Sequence, residues 1–148
     1  MNEYDVTTLE SLRAFAQHVI KDHINLEVAG QARLITLSGD LGAGKTTFTQ
    51  ILGELLGVSD GIDSPTYVIE QRYSITDSQS LDELVHIDAY RLEQEDDPLK
   101  IGLDQTLQDP AKLVVVEWPE KIEDFLQSYK KVEIILQLNG EKRGAVIK

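Results

Sequence analysis

Apolar positions along the chain follow two rhythms. Across residues 8–22, Leu12, Phe15, Ala16, Val19 and Ile20 recur every three or four positions, which puts them on one face of a helix. Thr7 followed by Glu10 predicts a capping box at the start of that helix. Arg33–Ser38 is a short, nearly continuous apolar run, the pattern of a buried strand, and it leads straight into glycine-rich sequence. Residues 45–56 return to helical spacing, with Gly57 placed to end the helix. Residues 67–75 are rich in aromatic and β-branched side chains and predict a strand.

Two further strands are expected at 84–88 and 113–117, each ending on an acid. The second is apolar without interruption before Glu117, as for a central strand covered on both faces. Asp97 and Pro98 predict the cap and first turn of a short helix through Leu107. Pro119 opens another, with Ile122, Phe125 and Leu126 sharing a face. In the tail Val132, Ile134, Leu136 and Leu138 alternate with other residues, Asn139-Gly140 signals a hairpin turn, and 144–147 forms the last strand. Polar residues 76–80 predict a loop and 93–97 an acidic surface turn, neither long enough for a linker. Interleaved helices and strands predict an α/β fold in a single domain over residues 1–148, with a mostly parallel central sheet and an antiparallel C-terminal hairpin.

Charge narrows the chemistry. Lys plus Arg number 14 against 26 Asp plus Glu, a formal net charge of −12. That balance argues against a broad electrostatic grip on nucleic acid or an anionic membrane, although it leaves room for a local basic patch. With no cysteine there is no disulfide frame, thiolate zinc site or cysteine nucleophile. The N-terminal residues are acidic where a signal peptide is basic, and no apolar run is long enough to span a bilayer. A soluble cytoplasmic protein without a membrane partner is expected. His18, His23 and His86 show no metal-ligand spacing; the first two are expected on the solvated surface and His86 in a half-buried strand.

The strongest chemical signal is Gly39-Asp40-Leu41-Gly42-Ala43-Gly44-Lys45-Thr46, which fits G-x-x-x-x-G-K-[ST]. Residue usage produces such a match by chance in roughly half a percent of chains this size. A strand before it and a helix after it are the context that phosphate binding needs. Glycines let backbone N–H groups approach phosphate oxygens, and the helix N-terminus adds its partial positive charge. Lys45 brings a full charge to the β- and γ-phosphates, and the Thr46 hydroxyl is placed to ligate Mg²⁺.

A Mg²⁺–phosphate complex wants a carboxylate at a neighbouring strand end, and Glu117 and Asp88 are the candidates. Each has the alternative of capping the turn that follows it. Thr66, in Ser64-Pro65-Thr66, stands where a switch loop would sense a γ-phosphate or position a water, with an ordinary turn as its alternative. Trp118, the only tryptophan, has three open roles: base platform, partner contact or core.

The phosphate loop, Ser64-Pro65-Thr66-Tyr67, the stretch His86-Ile87-Asp88-Ala89-Tyr90-Arg91-Leu92, Ile101-Gly102 and Val116-Glu117-Trp118-Pro119-Glu120 together resemble the TsaE (YjeE) family. The five motifs occur in the family's order, and the resemblance covers nearly the whole chain. The resemblance implies a P-loop NTPase three-layer α/β sandwich that binds ATP and Mg²⁺. It implies that Gly42, Ala43, Gly44, Lys45, Thr46 and Thr47 wrap the phosphates and that Thr46 and Glu117 hold the metal. Asp88 and Thr66 then lie on the γ-phosphate side, and Trp118 beside the nucleotide. Arg143 is the candidate for a C-terminal arginine near the nucleotide. Lys45, Thr66, Asp88 and Glu117 form the implied catalytic set.

The function implied is a P-loop ATPase, weak alone, that acts with TsaB and TsaD in threonylcarbamoyladenosine modification of tRNA and meets tRNA only through that complex. Two alternatives share the scaffold. A small-molecule kinase would need an Arg-rich lid that this chain lacks. A nucleotide-gated binding module would use the same site without turnover. A GTPase ranks lower, because no Asn-Lys-x-Asp signature is present.

Overall fold

The computed structural model describes residues 2–26, 28–59, 61–62, 70–91 and 102–148. Thr66, residues 67–69 of the expected strand, the acidic turn at 93–97 and the helix start at Asp97-Pro98 lie outside the described residues.

Strand β1 (Asn2–Asp5) precedes helix α1 (Leu9–Val19), which widens into a π-helical turn over Ile20–Ile24. Then come β2 (Arg33–Ser38), α2 (Lys45–Leu55), β3 (Glu70–Ser74), β4 (Glu83–Asp88), α3 (Leu103–Leu107) and β5 (Lys112–Glu117). A 3₁₀ turn at Pro119–Ile122 leads into α4 (Glu123–Leu126), and β6 (Val132–Asn139) and β7 (Lys142–Ile147) close the chain. One sheet carries the described strands in the order β1-β7-β6-β2-β5-β4-β3.

The centre is parallel as expected, through β6, β2, β5 and β4, and β6–β7 form the expected antiparallel hairpin. Two further antiparallel pairings, β1–β7 and β3–β4, were not expected and make the whole sheet mixed. The segment 75–82 between β3 and β4 explains one of these pairings, because a parallel crossover takes about a dozen residues or more. β1 was not legible as a strand: four residues, none of them buried, carry no period-two signal.

Strand alternation splits the core in two. Ile35, Leu37, Leu84, Leu113 and Val115 face α1 and α2, packing with Leu12, Phe15, Phe48 and Leu52. Leu34, Val85, Ile87, Val114 and Val116 face the other way, onto Leu103, Leu107 and Leu126. Each large side chain fully buried in this manner stabilises the fold by roughly 1.5–3 kcal/mol.

Local details refine the expected boundaries. The cap of α1 is Thr8, not Thr7: its hydroxyl accepts from Ser11 N–H at 3.0 Å, and the Ser11 hydroxyl accepts from Thr8 N–H at 3.0 Å. Thr7 is occupied elsewhere, accepting from Arg143 N–H at 3.1 Å and thereby extending the contact of β1 with β7. Gly57, at φ 83°, ends α2 as expected. The C-terminal hairpin turns at Gly140 and Glu141, one position later than the Asn139-Gly140 signal, so β7 begins at Lys142 rather than at 144. Among the described residues no helix is long and apolar enough to cross a membrane.

Candidate functional site

Parallel register brings three strand ends to one edge of the sheet. Glu117 pairs with Leu37 of β2 on one side and Asp88 of β4 on the other. Side chains alternate along a strand, so Asp88 and Glu117 lie on the same face as Leu84 and Leu113, the face covered by α2.

The loop from Gly39 to Gly44 fills the gap between β2 and α2. Gly39 has φ 146°, and a Cβ there would lie 2.4 Å from the Leu136 carbonyl oxygen, so only glycine fits. Gly42 (φ 84°) and Gly44 (φ 107°) also take conformations that favour glycine. Ala43 N–H donates to the Asp40 carbonyl at 3.0 Å and closes the loop. Gly44 is the N-cap of α2 and supplies no side-chain cap, which leaves the positive end of that helix available to an anion.

Lys45, the first residue of α2, is buried beneath this loop. Its ammonium donates to the Gly39 carbonyl and lies 4.2 Å from the centroid of the Trp118 ring. Trp118 adopts φ 58° and is the only non-glycine residue with positive φ among the described residues. The left-handed turn swings the indole back over the strand ends, where it also meets Tyr90 with ring centroids 5.2 Å apart.

These groups line a cleft of about 660 Å³. Of the residues singled out in the sequence, Gly42, Ala43, Gly44, Lys45, Thr46, Thr47, Asp88, Glu117, Trp118 and Arg143 all line it. Thr66 lies outside the described residues. Asp88 spends one oxygen on the turn after it, accepting from Tyr90 N–H at 3.0 Å. Glu117 is only 5% exposed and does something else: its Oε2 lies 2.6 Å from His86 Nε2. His86 is completely buried, not half-buried as its strand position suggested. His18 is likewise less exposed than expected, its Nε2 lying 2.9 Å from the Tyr4 hydroxyl and its Nδ1 3.0 Å from Asp22.

Sequence reasoning missed the opposite wall. Val6, Thr7, Thr8, Leu9 and Leu12 come from the N-terminal strand–helix junction, and Leu41 and Tyr90 join them in the lining. A signal existed: Leu9 and Leu41 are 71% and 90% exposed, apolar residues off the helix face and in a polar loop, where folding does not call for them.

The lining suits a magnesium polyphosphate. Among the described residues no three His, Cys, Asp or Glu side chains form a metal cluster. Mg²⁺ does not need one; it takes one or two protein oxygens and fills its remaining positions with phosphate and water. The Thr46 hydroxyl and the Glu117 carboxylate, both in the cleft, provide such a donor pair.

Comparison with known proteins points one way. A family model described as threonylcarbamoyl adenosine biosynthesis protein TsaE matches residues 6–145. The tRNA threonylcarbamoyladenosine biosynthesis protein TsaE of Streptomyces coelicolor is 44% identical over 104 residues, covering 68% of this chain and 67% of that protein. The Bacillus subtilis protein of the same name is 37% identical over 108 residues, 73% of this chain and 63% of that protein. The crystal structure of Bacillus subtilis YdiB superposes with a TM-score of 0.70 at 26% identity, covering 99% of this chain and 83% of that one.

Proposed function

The chain belongs to the TsaE family of threonylcarbamoyl adenosine biosynthesis proteins, and on that premise we propose that it is a Mg²⁺-dependent ATPase with the P-loop NTPase fold. It serves threonylcarbamoyladenosine modification of tRNA together with TsaB and TsaD. The observation that carries the proposal is the buried Lys45 ammonium, which among the described residues meets the Gly39 carbonyl and the Trp118 indole face beside an uncapped helix start. Phosphate oxygens would replace a neutral carbonyl and an indole face with stronger, charge-assisted partners.

Each residue then has a task. Loop backbone from Gly42 to Thr47 surrounds the β-phosphate, and Lys45 neutralises the β- and γ-oxygens. Thr46 and Glu117 would hold the metal, which would supply positive charge to the phosphate oxygens. Asp88, at the adjacent strand end, serves the γ-phosphate side, the role that the family resemblance also implies for Thr66. The apolar side chains Val6, Leu9, Leu12 and Leu41 offer the base a dry seat, and Arg143 closes that side. With a net charge of −12, this chain leaves the tRNA to its partner subunits.

Phosphate release from ATP and Mg²⁺ tests the proposal when measured with and without purified TsaB and TsaD. Turnover that is slow alone and faster in the mixture is expected. ATP binding with no turnover in either condition would leave a nucleotide-gated binding module instead.

A further inference from the structure

His86 is a polar side chain in an apolar place. Leu84, Val85, Ile87 and Val115 around it are completely buried, and so is the imidazole. Its Nδ1 is the one buried side-chain polar atom without a partner among the described residues. An apolar residue would fill the position without that desolvation penalty. The other nitrogen explains the histidine: Nε2 lies 2.6 Å from Glu117 Oε2, across the β4–β5 pairing, two positions along from the register partner Val115. A carboxylate only accepts, so Nε2 carries the hydrogen in this contact.

We propose that His86 is a positioning residue, which by donating Nε2–H to Oε2 from within the core fixes the Glu117 carboxylate so that its other oxygen meets a divalent cation at the phosphate loop. The proposal deepens the ATP–Mg²⁺ assignment above and rests on it. Among the described residues this is the one hydrogen bond to the Glu117 carboxylate. Outer hydrogen bonds of this kind orient a metal ligand, and their loss weakens metal binding by about 10- to 100-fold.

Calorimetric titration of ATP into the protein over a range of Mg²⁺ concentrations, and in EDTA, tests this. In His86→Leu, which fills the volume without a donor, the Mg²⁺ midpoint is expected to rise about 10-fold or more, while ATP affinity in EDTA stays within about two-fold of wild type. His86→Gln keeps an N–H near the Nε2 position and should recover most of the shift. Unchanged Mg²⁺ midpoints, equal losses in both variants, or parallel losses with and without metal would overturn the assignment. If the wild-type protein itself ignores Mg²⁺, the underlying cation site is wrong; Mg²⁺-dependent wild type with an indifferent His86→Leu condemns only the positioning role. Nitrogen-15 NMR of the wild-type imidazole gives a readout that needs neither variant nor nucleotide. Protonation at Nε2 is expected, and protonation at Nδ1 alone would overturn the proposal.

Discussion

The Lys45 ammonium rests 4.2 Å from the centroid of the Trp118 indole, and the backbone at Trp118 is left-handed to allow it. A left-handed non-glycine residue costs about 1–2 kcal/mol. A cation over an indole returns about 0.5–2 kcal/mol, so the contact compensates the strain only while the ammonium stays. If ATP binds as proposed, the contact should respond to the nucleotide.

Trp118 is the only tryptophan, so its emission reports this site alone. Adding ATP should draw the ammonium off the indole and change the emission intensity. Lys45→Met should abolish most of the change. An unresponsive wild-type spectrum would place the indole outside the nucleotide's influence.

Glu117→Ala should lower ATP turnover in Mg²⁺ far more than it lowers ATP binding in EDTA. Removing one metal ligand among oxygens takes several kcal/mol from the charged transition state but little from metal-free affinity. Equal effects on both measurements would mark Glu117 as structural.

Gly39→Ala should destabilise the protein by about 1–3 kcal/mol in urea unfolding, because the added methyl meets backbone that does not yield. The Leu136 carbonyl oxygen lies 2.4 Å from the new Cβ. Unchanged stability would contradict the close approach of loop and β6.

Lys112 provides a pH test remote from the cleft. Its hydrogen bond to Asp82, at 2.8 Å, holds its ammonium above the usual lysine range; desolvation opposes this, and Glu83 and Asp109 add to it. A raised folded pKa contributes stability that is full below the unfolded value, about 10.4, and lost as pH climbs through the folded one. Lys112→Met should be less stable than wild type by about 0.5–1 kcal/mol at neutral pH. The gap should shrink above about pH 10.4, once wild-type Lys112 loses its proton. A gap that persists there would mean the lost contacts are packing.

The parallel centre of the fold was visible in the sequence because strands buried on both faces are written as apolar runs. Residues 113–116 are all completely buried. β1 and the antiparallel edges were not, since half-exposed strands leave weak patterns and pairing direction depends on connection length. The phosphate-loop side of the site was legible because glycine and lysine positions are dictated by backbone conformation and charge. The wall from Val6 to Leu12 was hidden, for it depends on β1 docking beside β7, a contact between the two ends of the chain. The His86–Glu117 pair was hidden for a related reason: it arises from parallel register between strands 31 positions apart in sequence.

The central claim is that Lys45 and its loop hold a polyphosphate. Calorimetric titration of ATP in Mg²⁺ into wild type and Lys45→Ala tests it most directly. Loss of charge-assisted hydrogen bonds should weaken binding by about 1.5–3 kcal/mol, roughly ten- to hundred-fold. Equal affinities in the two proteins, or no heat of binding in either, would contradict it.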